Sequence, residues 1–506
     1  MEELTEHPYS GKGNRQPSIG KTNRLSQEFT IGYRFSYEDN NGNAKNRTNI
    51  TDILNPAANK EYNRFYERDD SKVYIHTITA SYPGLKRLLF NKLRLGGIEM
   101  DLSVTTTFHK KLSNDRVWDI DKVMDQYMLN QQLTYTADAF IQNILPSLNL
   151  RKSFSKGLTN RYSKTVFINV DFKEQFYSME HSSTLQFQNF SYAYNKFTPQ
   201  ASINYYNHQY GSYEASYGII FETAVQYPDV NQIAPVVDST NFWYIPKGNA
   251  ALKPQYKKAM GVNYSYTTRT PKNPFNTSMN ISIGQWDDYI TDSTVYDKSG
   301  VRTIYPVNMS GNRYVRGAIN PKKSVELKNK NTLELSAGYM ISLSENPQYI
   351  DGVLNVSSSI TNAPTFNVGF RHKDMIALKV EKGWVISKNR QKGLSNGFFT
   401  YNSNYARLIG TLQLPVNLVW STNFTFNKNS NNNSNPVNFT IWNASLTYRF
   451  LKGNRGEAKF SALDLLKQNK GIANSASGNS QIFTVSNVLQ NYYMITLSYY
   501  PRKFGK

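Results

Sequence analysis

The 506-residue chain contains no cysteine, which removes disulfide scaffolds, iron–sulfur ligation and thiol catalysis from the functions open to it. Long apolar runs are also missing: none approaches the ~18 residues that a membrane-spanning helix needs. Only 39% of the residues are hydrophobic and the mean hydropathy is -0.58, so a helical membrane protein is excluded. Acidic residues are scarce, 37 against 58 lysines and arginines, for a net charge of +21. That excess attracts anionic partners. The cations are scattered singly, however, with no helix-turn-helix, zinc-finger or RNP-like pattern, so nucleic acid is not expected. Phosphate-rich lipid, an acidic ligand or simple solvation remain as accounts of the charge.

Chemistry is equally sparse. The six histidines (His7, His76, His109, His181, His208 and His372) are isolated, without the spacing of a zinc site. No Ser/His/Asp triad can be assigned, and the glycines form no phosphate-binding loop. We therefore expect no enzyme, no metal and no cofactor. Asn114 to Asp125 is acidic enough to suggest calcium, but it lacks the alternating ligands and central glycine of an EF-hand loop and reads as a solvated loop.

What the sequence has in abundance is alternation, with 14% aromatic residues. Trp442, Ala444, Leu446, Tyr448 and Phe450 alternate with Asn443, Ser445, Thr447 and Arg449, the period-2 signature of a strand with one apolar and one polar face. A turn at 452–456 reverses the chain. Ala458, Phe460 and Ala462 follow, and after a polar loop Tyr493, Ile495, Leu497 and Tyr499. The aromatics Trp442, Tyr448, Phe450, Tyr493 and Tyr499 sit at strand ends, as aromatics do at a membrane–water interface. From Trp442 to Phe450 is roughly 26 Å at about 3.3 Å per residue, or about 20 Å of height in a tilted strand, close to the apolar band of a transmembrane barrel. A soluble sandwich alternates too, and that reading stays open.

The same pattern recurs along the chain. Phe29, Ile31, Tyr33, Phe35 and Tyr37 open it, and further strands are expected near 72–82, 94–109, 143–154, 162–172, 196–206 and 213–221. The stretch 224–254 holds Pro228, Pro235, Pro246 and Pro254, which are barred from ladder positions, so it reads as a long loop. Strands resume from Tyr256, near 277–291, 300–316, 330–344, 354–372, 375–388, 397–412 and 418–426. The Asn- and Ser-rich tract 427–438 reads as low-complexity loop. Short and long connections alternate, giving roughly 16 to 20 antiparallel strands. The expected organisation is a polar tail or loop at 1–24 and one all-β transmembrane barrel over 25–506. The opening Met1-Glu2-Glu3-Leu4-Thr5-Glu6 shows no basic and apolar leader segment, which a barrel in an outer membrane needs, so either the front end is missing or the barrel reading is wrong.

Two stretches resemble TonB-dependent outer-membrane receptors, the Bacteroidota-type barrels in particular. Tyr227-Pro228-Asp229-Val230-Asn231-Gln232-Ile233-Ala234-Pro235, leading to Lys247-Gly248-Asn249-Ala250-Ala251-Leu252-Lys253-Pro254, is similar to a family loop that ends Gly-Asn-Pro-x-Leu-Lys-Pro-Glu. Ala250 stands for the first Pro and Gln255 for the Glu. The block from Ile441 through Asp464-Leu465-Leu466 to Lys470 is similar to the end of such barrels. The resemblance implies part of a 22-stranded barrel, with outer-membrane lipid, a plug domain and the TonB system as partners in uptake of a scarce solute such as a siderophore, glycan or peptide. Neither plug nor TonB box is recognisable here. A passive porin-like channel and a secreted β-rich adhesin are the alternatives.

For ligand contact, Phe242, Trp243, Tyr244 and Lys247 offer stacking faces and a cation, unless the rings pack the loop on itself. Gly248, Asn249, Leu252, Lys253 and Pro254 carry the family motif. Arg34, Lys173, Glu334 and Arg449 are expected on the polar face, either tuning selectivity or pairing with neighbours.

Overall fold

The computed structural model describes residues 29–50, 60–90, 95–121, 126–238, 240, 243–270, 273–298, 300–393, 398–415, 417–432, 434–477, 480–486 and 488–500. Residues 1–24, Asp125 and Phe242 therefore lie outside it. The chain is nearly all antiparallel β, gathered into one large sheet with two short helices. Its wall has eighteen positions, each paired with its neighbour. The order runs Thr30–Asp39, Lys72–Tyr82, Glu99–Asp121, Tyr135–Leu158, Tyr162–Ser183, Gln200–Gln209, Tyr213–Gln226, Gln255–Thr268 and Phe275–Asp287. The next position is shared by Asn312–Ile319 and Lys322–Leu327. Asn331–Ile350, Val353–His372, Ile376–Gln391, Phe398–Leu414, Leu418–Asn431, Ser434–Phe450, Gly456–Leu463 and Tyr492–Tyr499 complete it. Among the described residues no ladder joins the first strand to the last, so both remain edges.

Turn chemistry fits this meander. Asp351 and Gly352 take φ of 47° and 77°, the left-handed pair that a two-residue hairpin demands and that Asp-Gly supplies at little steric cost. At the opposite end Lys373, Asn417 and Asn454 take positive φ in the tight connections near 373–375, 415–417 and 451–455. The longest connections, 40–71, 227–254, 288–311 and 464–491, share the end where Asp351 lies. Most connections at the opposite end are short, the exception being 83–98.

Several expectations need correction: 196–206 spans the end of Phe190–Phe197 and the start of Gln200–Gln209, and 277–291 spans Phe275–Asp287 and the start of Tyr289–Tyr296, because Thr198-Pro199 and Asp288 interrupt the ladders. Asn114 to Asp121 is not a loop: it finishes the Glu99–Asp121 strand, because Asp115 and Asp119 face Arg68 and Arg64 of the neighbouring strand Lys60–Arg68. The tract 427–438 is strand up to Asn431 and again from Ser434, since cross-strand pairing satisfies the backbone whatever the side chains are. The 300–316 stretch is two strands, Arg302–Met309 and Asn312–Ile319, separated by a turn at Ser310-Gly311.

Apolar residues form continuous cross-strand rows on one face. One row reads Ile203, Ile219, Val262, Ile281, Gly317, Ile341. A second, farther along, reads Leu335, Val368, Val380, Leu408, Phe424, Trp442. The step from Ile341 to Leu335 along one strand is the stagger that tilted strands impose. Among the described residues no second layer covers these rows. Ile495 and Leu497 are 73% and 75% exposed, while Asn355 on the other face is 1% exposed.

Many polar side chains on that other face bond one another, although Asn355 Oδ1 is buried without a partner. Asn355 Nδ2 donates to Gln391 Oε1 at 2.5 Å, and Gln391 Nε2 donates to Ser357 Oγ and Asn389 Oδ1. Lys173 pairs with Asp171, Glu334 with Lys322 and Arg449 with Glu457. Glu381 accepts from Lys379 and from the Tyr405 hydroxyl, both at 2.8 Å. The Tyr405 ring reaches it by lying across Gly383, where a Cβ would come within 2.6 Å of the ring. This is the cross-strand glycine–aromatic pairing that pins register in sheets. Gly383→Ala is expected to push the ring off, break the bond to Glu381 and lower unfolding stability by about 1 kcal/mol, measurable by denaturant titration; Tyr405→Phe should give a similar loss without the steric change.

Candidate functional site

The long connection after the Tyr213–Gln226 strand does not extend away from the sheet; it folds back onto the polar face at the long-connection end. Pro228 breaks the ladder, and Asp229 then caps a helical turn, Val230–Ile233. Its carboxylate accepts from the Gln232 amide at 2.9 Å while Gln232 Oε1 accepts from the Asp229 amide at 3.1 Å, a reciprocal capping box. The turn drives Ile233 and Ala234 against Met179, and buried Gln188 donates to the Ala234 carbonyl at 2.9 Å.

The chain next crosses to the Lys60–Arg68 strand. There Arg64, only 4% exposed, donates to Asp119 at 2.7 Å and also pairs with Asp238. Asp238 accepts in addition from the Tyr66 hydroxyl at 2.7 Å and from the Thr240 amide and hydroxyl, each at 2.8 Å. Burial opposes charge on Asp238, but the Thr240 and Tyr66 donors and the Arg64 guanidinium outweigh it and hold the carboxyl below its ordinary value of 3.8. The sign follows: stability from this contact is full above the unfolded value and is lost as pH falls through the lowered folded one. A nitroxide at position 237 is expected to stay immobilised down to about pH 4 and to gain mobility below it. Asp238→Asn should remove that transition.

The loop returns along Tyr244–Pro246, which pairs in parallel with Arg302–Met309. Trp243 is exposed, its carbonyl accepting from the Arg302 amide at 3.0 Å. Arg302 lies over the Tyr244 ring at 5.2 Å, and the Lys247 amide donates to the Ile304 carbonyl at 2.8 Å. Of the four residues proposed from sequence for ligand contact, Tyr244 lies on this short strand, Trp243 and Lys247 flank it, and Phe242 lies outside the described residues.

The family-like motif has a mechanical reading. Gly248 passes so close to the helical turn that a Cβ would sit 2.0 Å from the Ile233 carbonyl oxygen. Asn249 then ties three segments: its amide donates to the Gln232 carbonyl and its Nδ2 to the Pro306 carbonyl, both at 2.9 Å, while its Oδ1 accepts from the Ala251 amide. Leu252 is 3% exposed. Tyr192 and Tyr194 donate to the carbonyls of Ala250 and Leu252. The Lys253 amide donates to Asn308 Oδ1 at 2.8 Å and its carbonyl accepts from Asn308 Nδ2 at 2.9 Å, and Pro254 is buried. Tyr194 belongs to an aromatic stack with Tyr227 and Tyr177, the last two 3.7 Å apart between ring centres.

A cavity of about 530 Å³ opens beside Asp238, lined by Asn40, Asn43, Tyr66, Arg68 and Arg116 and by the apolar Val117 and Leu133. Asp115 also faces it, with one carboxylate oxygen accepting from Arg68 at 2.6 Å and the other buried without a hydrogen-bond partner. Sequence reasoning did not single out these residues, because they come from four separate stretches; the acidic run 115–121 was the available signal. The aromatics expected from sequence at a membrane interface, Trp442, Tyr448, Phe450, Tyr493 and Tyr499, lie elsewhere, all on the apolar face. No family model matches this chain, and no curated protein does either.

Proposed function

We propose that this sheet is the wall of an outer-membrane β-barrel whose long connections form the solute-binding side of a TonB-dependent receptor. One observation carries the reading: apolar side chains are exposed in continuous rows while polar ones on the opposite face are buried and paired. Water would penalise so much bare apolar surface, whereas hydrocarbon would not, and a lumen accommodates the polar face. The two unpaired edges are where further strands would close the wall. The long-connection end then faces the exterior, and the cavity beside Asp238 and the segment 243–247 around the Tyr244–Pro246 strand are the places for a scarce, hydrogen-bonding solute.

The receptor reading is favoured over an open pore because the 227–254 loop is pinned across the polar face rather than held clear of it. The motif Lys247–Pro254 supports the same family, and energy from the TonB system, acting through a plug, belongs to that proposal. Fractionation tests it: the full chain is expected in the outer membrane, running faster on a gel before boiling than after. Recovery in the soluble fraction with no heat-dependent shift would overturn it.

A further inference from the structure

The rows at the long-connection edge of the apolar face change character abruptly. Met260, Ile283, Val315, Leu343 and Ile360 are successive cross-strand partners, and all are apolar. Two residues nearer the long connections, the parallel row reads Lys258, Gln285, Arg313, Glu345, Ser358, Arg390. Lys388 ends the apolar row as the partner of Ile360, and Lys392 lies one turn of the pleat beyond Arg390. Together they border an open groove of about 840 Å³ whose floor is the apolar row.

Charge on this border is not balanced. Asp287 holds Lys258, and Glu345 holds both Arg313 and Lys392. Lys388 and Arg390 are exposed and have no acidic partner among the described residues. Five cations against two carboxylates leave an anion-attracting rim. The cations alternate with polar-face residues that point away, so Lys388, Arg390 and Lys392 all project on the apolar side. Loops of a water-facing surface have no need to set a cation row directly over a bare apolar one. A molecule that is anionic at one end and hydrocarbon at the other needs both.

We propose that this groove binds an anionic, phosphate-bearing lipid, with the phosphate held by Lys388 and Arg390 and its acyl chains along Met260, Ile283, Val315, Leu343 and Ile360. Lys388 and Arg390 are two residues apart on one side of the same strand, roughly 7 Å at about 3.3 Å per residue, so both long side chains reach one headgroup. Guanidinium groups suit phosphate because their donors match its oxygens in pairs. The inference rests on the membrane reading above, but it adds a ligand and a place that reading does not require.

The test uses the purified full chain in vesicles of phosphatidylcholine with a minor fraction of phosphatidylglycerol, with lipids retained after detergent extraction counted by mass spectrometry. Phosphatidylglycerol is expected to be enriched about tenfold among retained lipids over its share of the vesicle, since each basic group near a membrane surface adds substantially to anionic-lipid affinity. The variant Lys388→Ser/Arg390→Ser is expected to lose most of that enrichment, and Ile360→Ser to weaken it with the charges intact. Adding inorganic phosphate should leave the enrichment unchanged; displacement by phosphate would overturn the lipid assignment in favour of a free anion. A chain that inserts and shifts on boiling yet shows no enrichment overturns this inference alone, whereas a chain that never enters vesicles overturns the membrane reading beneath it.

Discussion

Arginine at Val262 is expected to cost the assembled protein about 2–4 kcal/mol when it is folded in a bilayer, the range for a cation on the lipid face near mid-membrane. Val262 lies centrally in an apolar row, between Ile219 and Ile281, and is 42% exposed. If that exposure were to water, Val262→Arg would change stability by no more than about 0.5 kcal/mol. The two accounts therefore differ several-fold in the size of the same effect. Asn263→Arg supplies the comparison, since Asn263 faces the other way and pairs across Gly218 and Asn280; there a cation meets a polar lumen and is expected to be tolerated. Urea titration of vesicle-folded protein, read by the heat-dependent gel shift, measures both. Equal, small losses for the two variants would remove the support for a lipid-facing side.

Gly248→Val is expected to undock the loop while leaving the wall intact. The missing Cβ is not a matter of backbone freedom, because the constraint is the Ile233 carbonyl oxygen 2.0 Å from where that atom would stand. Either the helical turn lifts, exposing Ile233 and Ala234, or the motif moves and Asn249 loses its hold on Gln232 and Pro306. Overpacking of this kind costs about 3 kcal/mol at the upper end of its range. Amide exchange should quicken across 229–254 and remain slow in the Gln255–Thr268 strand. Any solute captured beside Asp238 should bind more weakly in the same variant. Unchanged exchange in the loop would show that Gly248 does not set its position.

The alternation was readable because a strand's side-chain period is two whatever its partners are, so Trp442 to Phe450 and Tyr493 to Tyr499 declared their faces without a structure. Strand ends were less readable. Beyond the apolar rows both faces are polar, and residues such as Asp115 and Asn429 look like loop until a partner strand is known to lie beside them. The proline-marked loop was visible, and so was its Gly-Asn motif, but not that Gly248 is required by a neighbouring carbonyl. Least accessible was the ion cluster: Arg64 and Asp238 are 174 residues apart, and no local pattern announces a pair made by a loop folding across five wall strands. The cation row at Lys258, Arg313 and Arg390 was likewise scattered in sequence and became a row only through register.

The claim on which the rest depends is that one face of the sheet meets hydrocarbon. A chain without cysteine allows a nitroxide to be placed at one introduced cysteine at a time, at positions 260, 261, 262, 263 and 264. In a bilayer, collision with oxygen should dominate at 260, 262 and 264, and collision with a water-soluble nickel chelate at 261 and 263. Access to the chelate at all five positions, with no alternation, would contradict the account.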